Sequence, residues 1–383
     1  MKCLFINKKI LSLIIISLVI ISINVTSPII GFEIFSTNDD FFDSSRIVVG
    51  PYSQKPQENS IIILWQTDIK TSINEVHWGI TPDCENVVPE LMKNKIGSGI
   101  LHRVKITGLL ESTKYYYKVV SDGIESEIFN FYTVCNKNDR VGFVAYGDSR
   151  GVWDNWKNAS IIAQSIEKHN PNFVLHTGDL VKNGINETQW LDFFSISDFV
   201  HNSTLIPVLG NHEYYGSPFF DYFILPNNEK WFSFDYGPIH FIGLDSNFGS
   251  AFRIQQFFWL IFDLGINKKP FTCVYFHNPV YSSGAHGSTF YLQLIWKPIF
   301  DYFNVDIVFN GHDHDYERGK IKNTNYIVTG GGGAPLREVG KSWWTIHSEK
   351  AFHYCYISSN SSELTFQAIK FDGNVIDTFT IIK

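Results

Sequence analysis

Residues 308–319 read VFNGHDHDYERG. His312 and His314 stand one residue apart there, among two aspartates and a glutamate, directly after a short apolar run. The whole chain uses 13 histidines in 383 residues, so the pairing is a concentration that needs a reason. A solvated turn would explain Gly, Asp and Asn after a strand. The stretch therefore acquires meaning only from the residues that the rest of the chain places beside it.

Upstream, apolar strand-like runs alternate with helix-like ones. VGFVAYGD (141–148), NFVLHTGD (172–179) and TLIPVLGNHE (204–213) are separated by NWKNASIIAQSIEKH (155–169) and TQWLDFFSISDFV (188–200). IHFIGLDS, RIQQFFWLIFDLG, FTCVYFHNP and FYLQLIWKPIFDYF come next, leading into DIVFNGHDHDYE. Such alternation predicts an α/β domain, with a largely parallel sheet covered by helices on both sides. The later runs TNYIVTGGGGAP, HYCYISS, ELTFQAIKF and VIDTFTIIK read as added strands.

Residues 46–134 have a different texture. SIIILWQTD, INEVHWGI, LHRVKITGL, TKYYYKVVSDG and SEIFNFYTV are strand-like runs punctuated by Gly, Asp, Asn and Ser, which predicts a small all-β sandwich. The loop-to-strand step GLLEST followed by Tyr115, Tyr116 and Tyr117 resembles fibronectin type III domains. With no acid, histidine or cysteine constellation in it, this part reads as architecture.

The α/β strand runs share an informative regularity at their carboxyl ends. Asp148 ends one run, Asp179 the next, then Asn211 with His212, then His277, then His312 and His314. In an open α/β sheet these positions share one rim, beyond the carboxyl ends of the strands, where ligands bind. Aspartate, an amide oxygen and imidazole suit Zn, Fe or Mn. About six ligands exceed the number that one tetrahedral ion with an open position accepts. They suit two divalent or trivalent ions about 3.5–4 Å apart that share a bridging carboxylate. On an extended backbone, His312 and His314 would point the same way, each serving one ion of the pair.

GDSR, GDLV, GNHE, FHNPVYSSG and GHDHDYER, in this order, resemble the motifs of the calcineurin-like metallophosphoesterases. With the sandwich ahead of them, the chain is most similar to the purple acid phosphatases. The resemblance implies a four-layer α-β-β-α metallophosphoesterase sandwich over residues 140–383, preceded by a fibronectin type III-like domain over 46–134. It makes Asp179 the bridging ligand. Asn211, His277 and His312 would complete the second metal site, and Asp148 with His314 would hold the first. His212 would be catalytic, facing the phosphate as a contact or proton donor. His286, in SSGAHGS, resembles a histidine near the substrate in purple acid phosphatases, with a plain surface position as the alternative.

Two positions depart from the pattern. Many members of the superfamily carry a histidine two residues after the first aspartate, where this chain has Arg150. Purple acid phosphatases carry a tyrosine three residues after the bridging aspartate, where this chain has Lys182. The first metal is therefore expected to be weakly held, and the tyrosinate colour absent. Arg150 either grips a substrate phosphate bidentately or forms a salt bridge nearby. TGGGGAP lacks a following lysine, so it reads as a tight turn near the site. Trp343, Trp344 and the aromatic stripe FFWLIFDL read as core.

The implied activity is hydrolysis of a phosphate ester by a hydroxide held on the metal pair. The appended sandwich points to an acid phosphatase-like phosphomonoesterase. The alternatives are a phosphodiesterase or nucleotidase, or a non-catalytic cell-surface binding protein on a decayed scaffold. The formal charge of −7, with 31 basic residues in no dense run, speaks against a nucleic-acid partner.

Lys2, Lys8 and Lys9 before ILSLIIISLVIISI form a basic then apolar leader within residues 1–30. It is expected to act as a secretory signal or as an uncleaved membrane anchor, giving a secreted or membrane-held protein. Cys84 and Cys135 either pair or, like Cys273 and Cys355, stay as buried thiols. Asn158, Asn186, Asn202 and Asn360 open glycosylation sequons.

Overall fold

The computed structural model describes residues 46–90 and 92–383; the leader read in residues 1–30 lies outside them. No helix among the described residues is long and apolar enough to cross a membrane.

Between residues 47 and 132 two antiparallel sheets face each other. One runs in the order Ile47–Gln54, Ser60–Thr67, Gly99–Thr107, Met92–Ile96. The other runs Asn86–Pro89, Asn74–Gly79, Lys114–Ser121, Ile124–Glu125, with Phe129–Tyr132 also paired to Lys114–Ser121. The strand KYYYKVVS shows why. Its alternation buries Tyr115, Tyr117 and Val119 against Ile61, Trp65, Val104 and Phe131 and turns Tyr116 outward. Trp65 satisfies its buried indole N–H on Ser121 Oγ at 2.9 Å.

The sandwich is hydrogen-bonded to the α/β part. Tyr52 Oη donates to the Tyr222 carbonyl at 2.8 Å, and Tyr117 Oη to the His201 carbonyl at 2.7 Å. Gln54 Nε2 donates to the Leu205 carbonyl at 2.9 Å.

The α/β part contains two sheets. The first has the order Thr204–Pro207, Phe173–His176, Val141–Tyr146, His353–Ser359, Glu363–Lys370, Val375–Ile382. The second has the order Phe232–Tyr236, Ile239–Gly243, Phe271–Tyr275, Ile307–Asn310, Thr324–Thr329, Tyr316–Ile321, Thr345–Glu349. FVLH, TLIP, IHFIG, FTCVY and IVFN are buried at every position, the pattern of strands covered on both faces. The sheets meet through aromatic side chains: Phe241 lies edge-on to Phe143 and Phe173, with centroids 5.1 and 5.2 Å apart.

Helices close the outer faces. Lys157–Glu167 turns Ala159, Ile162, Ala163 and Ile166 inward on one side. Ile254–Ile266, Phe290–Ile295 and Lys297–Phe303 bury Leu260, Leu292, Trp296 and Phe300 on the other. The result is the four-layer α-β-β-α sandwich with an all-β domain in front.

Three expectations need correction. The largely parallel sheet is two mixed sheets: the first is parallel on one side, the second at its centre including TNYIVT, and of the added runs HYCYISS, ELTFQAIKF and VIDTFTIIK pair antiparallel. The run FYLQLIWKPIFDYF is two helices broken at Trp296, because Pro298 starts a new first turn. The aromatic positions read as core are only partly so. Trp343 is 79% exposed, and Phe258 and Phe262 face outward from a helix whose Leu260 and Leu264 are buried.

All four described cysteines are buried free thiols, so Cys84 and Cys135 do not pair.

Candidate metal and phosphate site

Each rim residue sits in a loop that leaves the carboxyl end of a parallel-paired strand. Asp148 follows Val141–Tyr146, Asp179 follows Phe173–His176 and Asn211 follows Thr204–Pro207. His277 follows Phe271–Tyr275, and His312 and His314 follow Ile307–Asn310. Asp148, Asp179 and His312 have φ of 56°, 61° and 72°, a left-handed backbone uncommon for these residues and tolerated where the surroundings hold it.

Glycine makes the crowding possible. Gly178 has φ 96°, and a Cβ on it would lie 2.6 Å from the Gly210 nitrogen. A Cβ on Gly311 would lie 2.5 Å from Asp148 Oδ2. The Gly of each motif is therefore there for close approach of loops.

Three donor atoms converge at the centre. Asn211 Oδ1 lies 3.0 Å from His277 Nε2 and 3.0 Å from His312 Nδ1, and those two nitrogens are 3.1 Å apart. His277 Nδ1 donates to the Thr177 carbonyl at 3.0 Å, which turns Nε2 inward. Asp179 Oδ2 lies 3.4 Å from His277 Nε2. Asp179 Oδ1 accepts the His212 backbone N–H at 2.9 Å, while Oδ2 is buried without a hydrogen bond. Asp148 repeats this: Oδ2 accepts the His312 N–H at 2.8 Å, and Oδ1 is buried without a hydrogen bond. Ligand atoms of Asp148, Asp179 and His277 lie within 4.8 Å of one another. Buried carboxylate oxygens left open beside inward-facing imidazoles are the donor chemistry of a cation site.

Burial holds His312 down at about 2, so it offers a neutral imidazole. Burial also pushes His277 down, but the adjacent Asp179 charge outweighs it and lifts His277 to about 9.

His312 and His314 do reach different groups, although not from an extended strand. The backbone turns at 311–313, where the Asp313 N–H bonds the Gly311 carbonyl at 2.9 Å. His314 Nε2 points away from the central trio, 3.5 Å from Asp148 Oδ1 and 2.7 Å from Arg150 Nη2.

The rim opens on a cavity of about 380 Å³ lined by Arg150, Trp153, His212, His286, His312 and Arg337, among others. His212 Nδ1 donates to the Lys182 carbonyl at 2.7 Å, leaving Nε2 3.9 Å from Asp179 Oδ2. His286 is exposed at the cavity edge, where its ring lies 4.2 Å from that of His312 and its Nδ1 meets Asp313 Oδ1 at 3.0 Å. A larger cavity of about 440 Å³, lined by Gln54, Val134, Ile206 and Phe234, holds no acid–histidine constellation.

Two residues of the site escaped the motif reading. Arg337 lines the cavity and lies against the His286 ring, Nη1 being 2.6 Å from Nε2. It stands well beyond the last motif, and an isolated arginine carries no local signal. Glu213, the last letter of GNHE, accepts the N–H groups of Asp179, Leu180 and Gly210 at 2.9, 2.8 and 2.6 Å. It thereby ties two rim loops together. The TGGGGAP turn also serves the site: Gly332 N–H bonds the Gly147 carbonyl and Ala334 N–H the Asp148 carbonyl, at 2.9 and 2.8 Å.

The chain matches the calcineurin-like phosphoesterase family over residues 141–316 and the purple acid phosphatase N-terminal domain over residues 51–133. It is 30% identical over 265 residues to purple acid phosphatase 21 of Arabidopsis thaliana, covering 62% of this chain and 59% of that protein. It is 24% identical over 347 residues to the Fe(3+)-Zn(2+) purple acid phosphatase 12 of the same plant, covering 77% and 72%. Its fold matches the solved purple acid phosphatase of yellow lupin (Lupinus luteus) seeds with a TM-score of 0.74 at 21% identity, over 87% of this chain and 74% of that one.

Proposed function

From its place among the purple acid phosphatase-like metallophosphoesterases, hydrolases of phosphoric esters, we propose that this chain is a metal-dependent phosphomonoesterase. The observation that carries this is the rim itself. Asn211 Oδ1, His277 Nε2 and His312 Nδ1 converge to 3.0–3.1 Å beside the open Asp179 Oδ2, at the floor of a cavity lined by two arginines. Asp179, Asn211, His277 and His312 fit one ion of the family's dinuclear centre, with iron, zinc or manganese suited to these donors. The other position shares its donors with Arg150 and fits an ion poorly.

A bound ion supplies Lewis acidity toward a phosphoryl oxygen. The remaining work falls to the chain. Arg337, beside His286, brings a fixed positive charge to the cavity that suits a phosphate oxygen, while Arg150 is turned inward to His314 and the carboxylates. The preference for a monoester rests on the likeness to purple acid phosphatases. His212 Nε2, its orientation set by the Lys182 carbonyl, would donate a proton to the leaving oxygen. His286 is steadied by Asp313 and lies beside the same cavity, where it would position the ester.

A second reading, a phosphate-binding protein without turnover, draws on the Arg150–His314 contact. Export to a secreted or membrane-held location is also proposed, on the basic and apolar leader alone.

Purified protein assayed on an aryl phosphomonoester and the matching diester, with metal chelated and restored, tests the proposal. Monoester hydrolysis that falls with chelation and returns with metal is expected. Preferential diester hydrolysis, or phosphate binding without turnover, would replace it with one of the other readings.

A further inference from the structure

Arg150 lies among the donors that a first metal ion would use. Its Nη2 is 2.7 Å from His314 Nε2 and 4.0 Å from Asp148 Oδ1, and its Nη1 is 3.4 Å from Asp179 Oδ2. His314 cannot turn its other nitrogen to the task, because Nδ1 donates to the Pro335 carbonyl at 2.7 Å. The Nε2 lone pair is thus the one acceptor this imidazole presents to the site, and the guanidinium takes it. Arg150 is 4% exposed. The Trp153 ring lies 5.6 Å from its guanidinium carbon and 4.9 Å from Lys182 Nζ, the residue at the second position where the family pattern expects a ligand.

We infer that Arg150 is a built-in cation replacing the first metal ion, so that the centre takes a single ion, at Asp179, Asn211, His277 and His312. The inference rests on the reading of this rim as a metal centre, and deepens it. A guanidinium keeps its proton at any working pH, so it supplies a permanent positive charge between Asp148 and Asp179. Those buried carboxylates are costly without a counter-charge, and Arg150 supplies it. A second divalent ion at His314 would have to displace the guanidinium from Nε2. Left in place, the guanidinium would repel that ion at short range in a dry site. Unlike a metal ion, the charge cannot be dialysed away.

The test is metal stoichiometry, read by elemental analysis of the full chain after loading with Mn²⁺ or Zn²⁺ and removal of free metal. The wild type is expected to hold about one ion per chain, and its Mn²⁺ form to show the six-line signal of an isolated ion. Arg150→His places an imidazole where many family members have one, and Arg150→Ala empties the position. At least one of them, confirmed as folded by circular dichroism, is expected to approach two ions per chain, with spin coupling between the Mn²⁺ ions. A wild type with two ions would overturn the replacement by Arg150 while leaving the metal centre standing. Folded variants that both stay at one ion would overturn it as well, since the guanidinium would not be the group that excludes the second ion. A wild type that takes up no ion would overturn the metal-centre reading and this inference with it.

Discussion

Glu213 accepts the backbone N–H of Asp179 at 2.9 Å and holds the Gly210 N–H with the same oxygen at 2.6 Å. One buried carboxylate thus joins the loop carrying the central aspartate to the loop carrying Asn211. In Glu213→Gln, one acceptor oxygen becomes an NH₂ group facing backbone donors. A loss of about 1–3 kcal/mol of unfolding free energy is expected for each donor left unpaired. Chemical denaturation measures it, and unchanged stability would remove Glu213 from this role.

Asp179→Asn and His212→Ala are expected to fail differently. A neutral amide at 179 removes the charge that faces His277 and Arg150, so metal affinity and activity fall together. Loss of the His212 imidazole leaves the donor trio in place. The rate is expected to drop about 10²–10⁴-fold, the range for lost proton transfer, at constant metal content. Elemental analysis beside kcat for both variants separates the roles. Metal loss in His212→Ala would make it a ligand and not a proton donor.

Gly178→Ala tests the packing of the loops. The backbone at φ 96° disfavours any side chain, and the new Cβ would press on Gly210. The left-handed conformation alone costs about 1–2 kcal/mol, and the clash adds to it while moving Asn211. Lower thermal stability and weaker metal retention are both expected. A variant as stable and as metal-rich as the wild type would show that the loops can separate freely.

His240 predicts how stability responds to pH. Burial pushes this imidazole down, but hydrogen bonds to Asp235 at 2.7 Å and Asp263 at 2.8 Å, with their charges, raise it to about 9. A raised folded value means that the unfolded chain releases the proton first. The stabilisation is complete below the unfolded value of about 6.5 and is lost as pH rises through about 9. Denaturation midpoints between pH 6 and 9.5 are expected to decline more steeply in the wild type than in His240→Gln. Parallel curves would mean that the pair does not hold the proton.

The strand runs that end in Asp148, Asp179, Asn211, His277 and His312 were legible from their mostly apolar letters, because strands buried on both faces favour apolar residues at nearly every position. The convergence of their ends followed from the rule that parallel strands present their carboxyl ends at one rim. The edge strands Phe232–Tyr236 and Thr345–Glu349 are half-exposed and short of a clean alternation; the first is fixed by a tight hairpin to Ile239–Gly243, the second by Tyr316–Ile321, far back along the chain. The outward face of Ile254–Ile266 misled for a related reason: aromatic residues signal burial only on average, and Phe258 and Phe262 are exposed here.

By itself, the sequence determined which residue types gather at the rim and hence the chemistry open to them: carboxylate, amide and imidazole donors with no thiol among them. It also determined that Arg150 and Lys182 stand where ligands are expected. The tertiary structure decided where those side chains point. Arg150 could have reached outward to an ester or inward to the carboxylates, and its letter is the same in both cases. Its direction is set by His314, whose inward nitrogen is chosen by the Pro335 carbonyl, 21 residues away in the chain. Arg337 reaches the cavity through the same folding of distant segments. Residue identity follows from local chemistry, but a lone pair or a guanidinium acquires its role from partners that only the folded chain brings within about 3 Å.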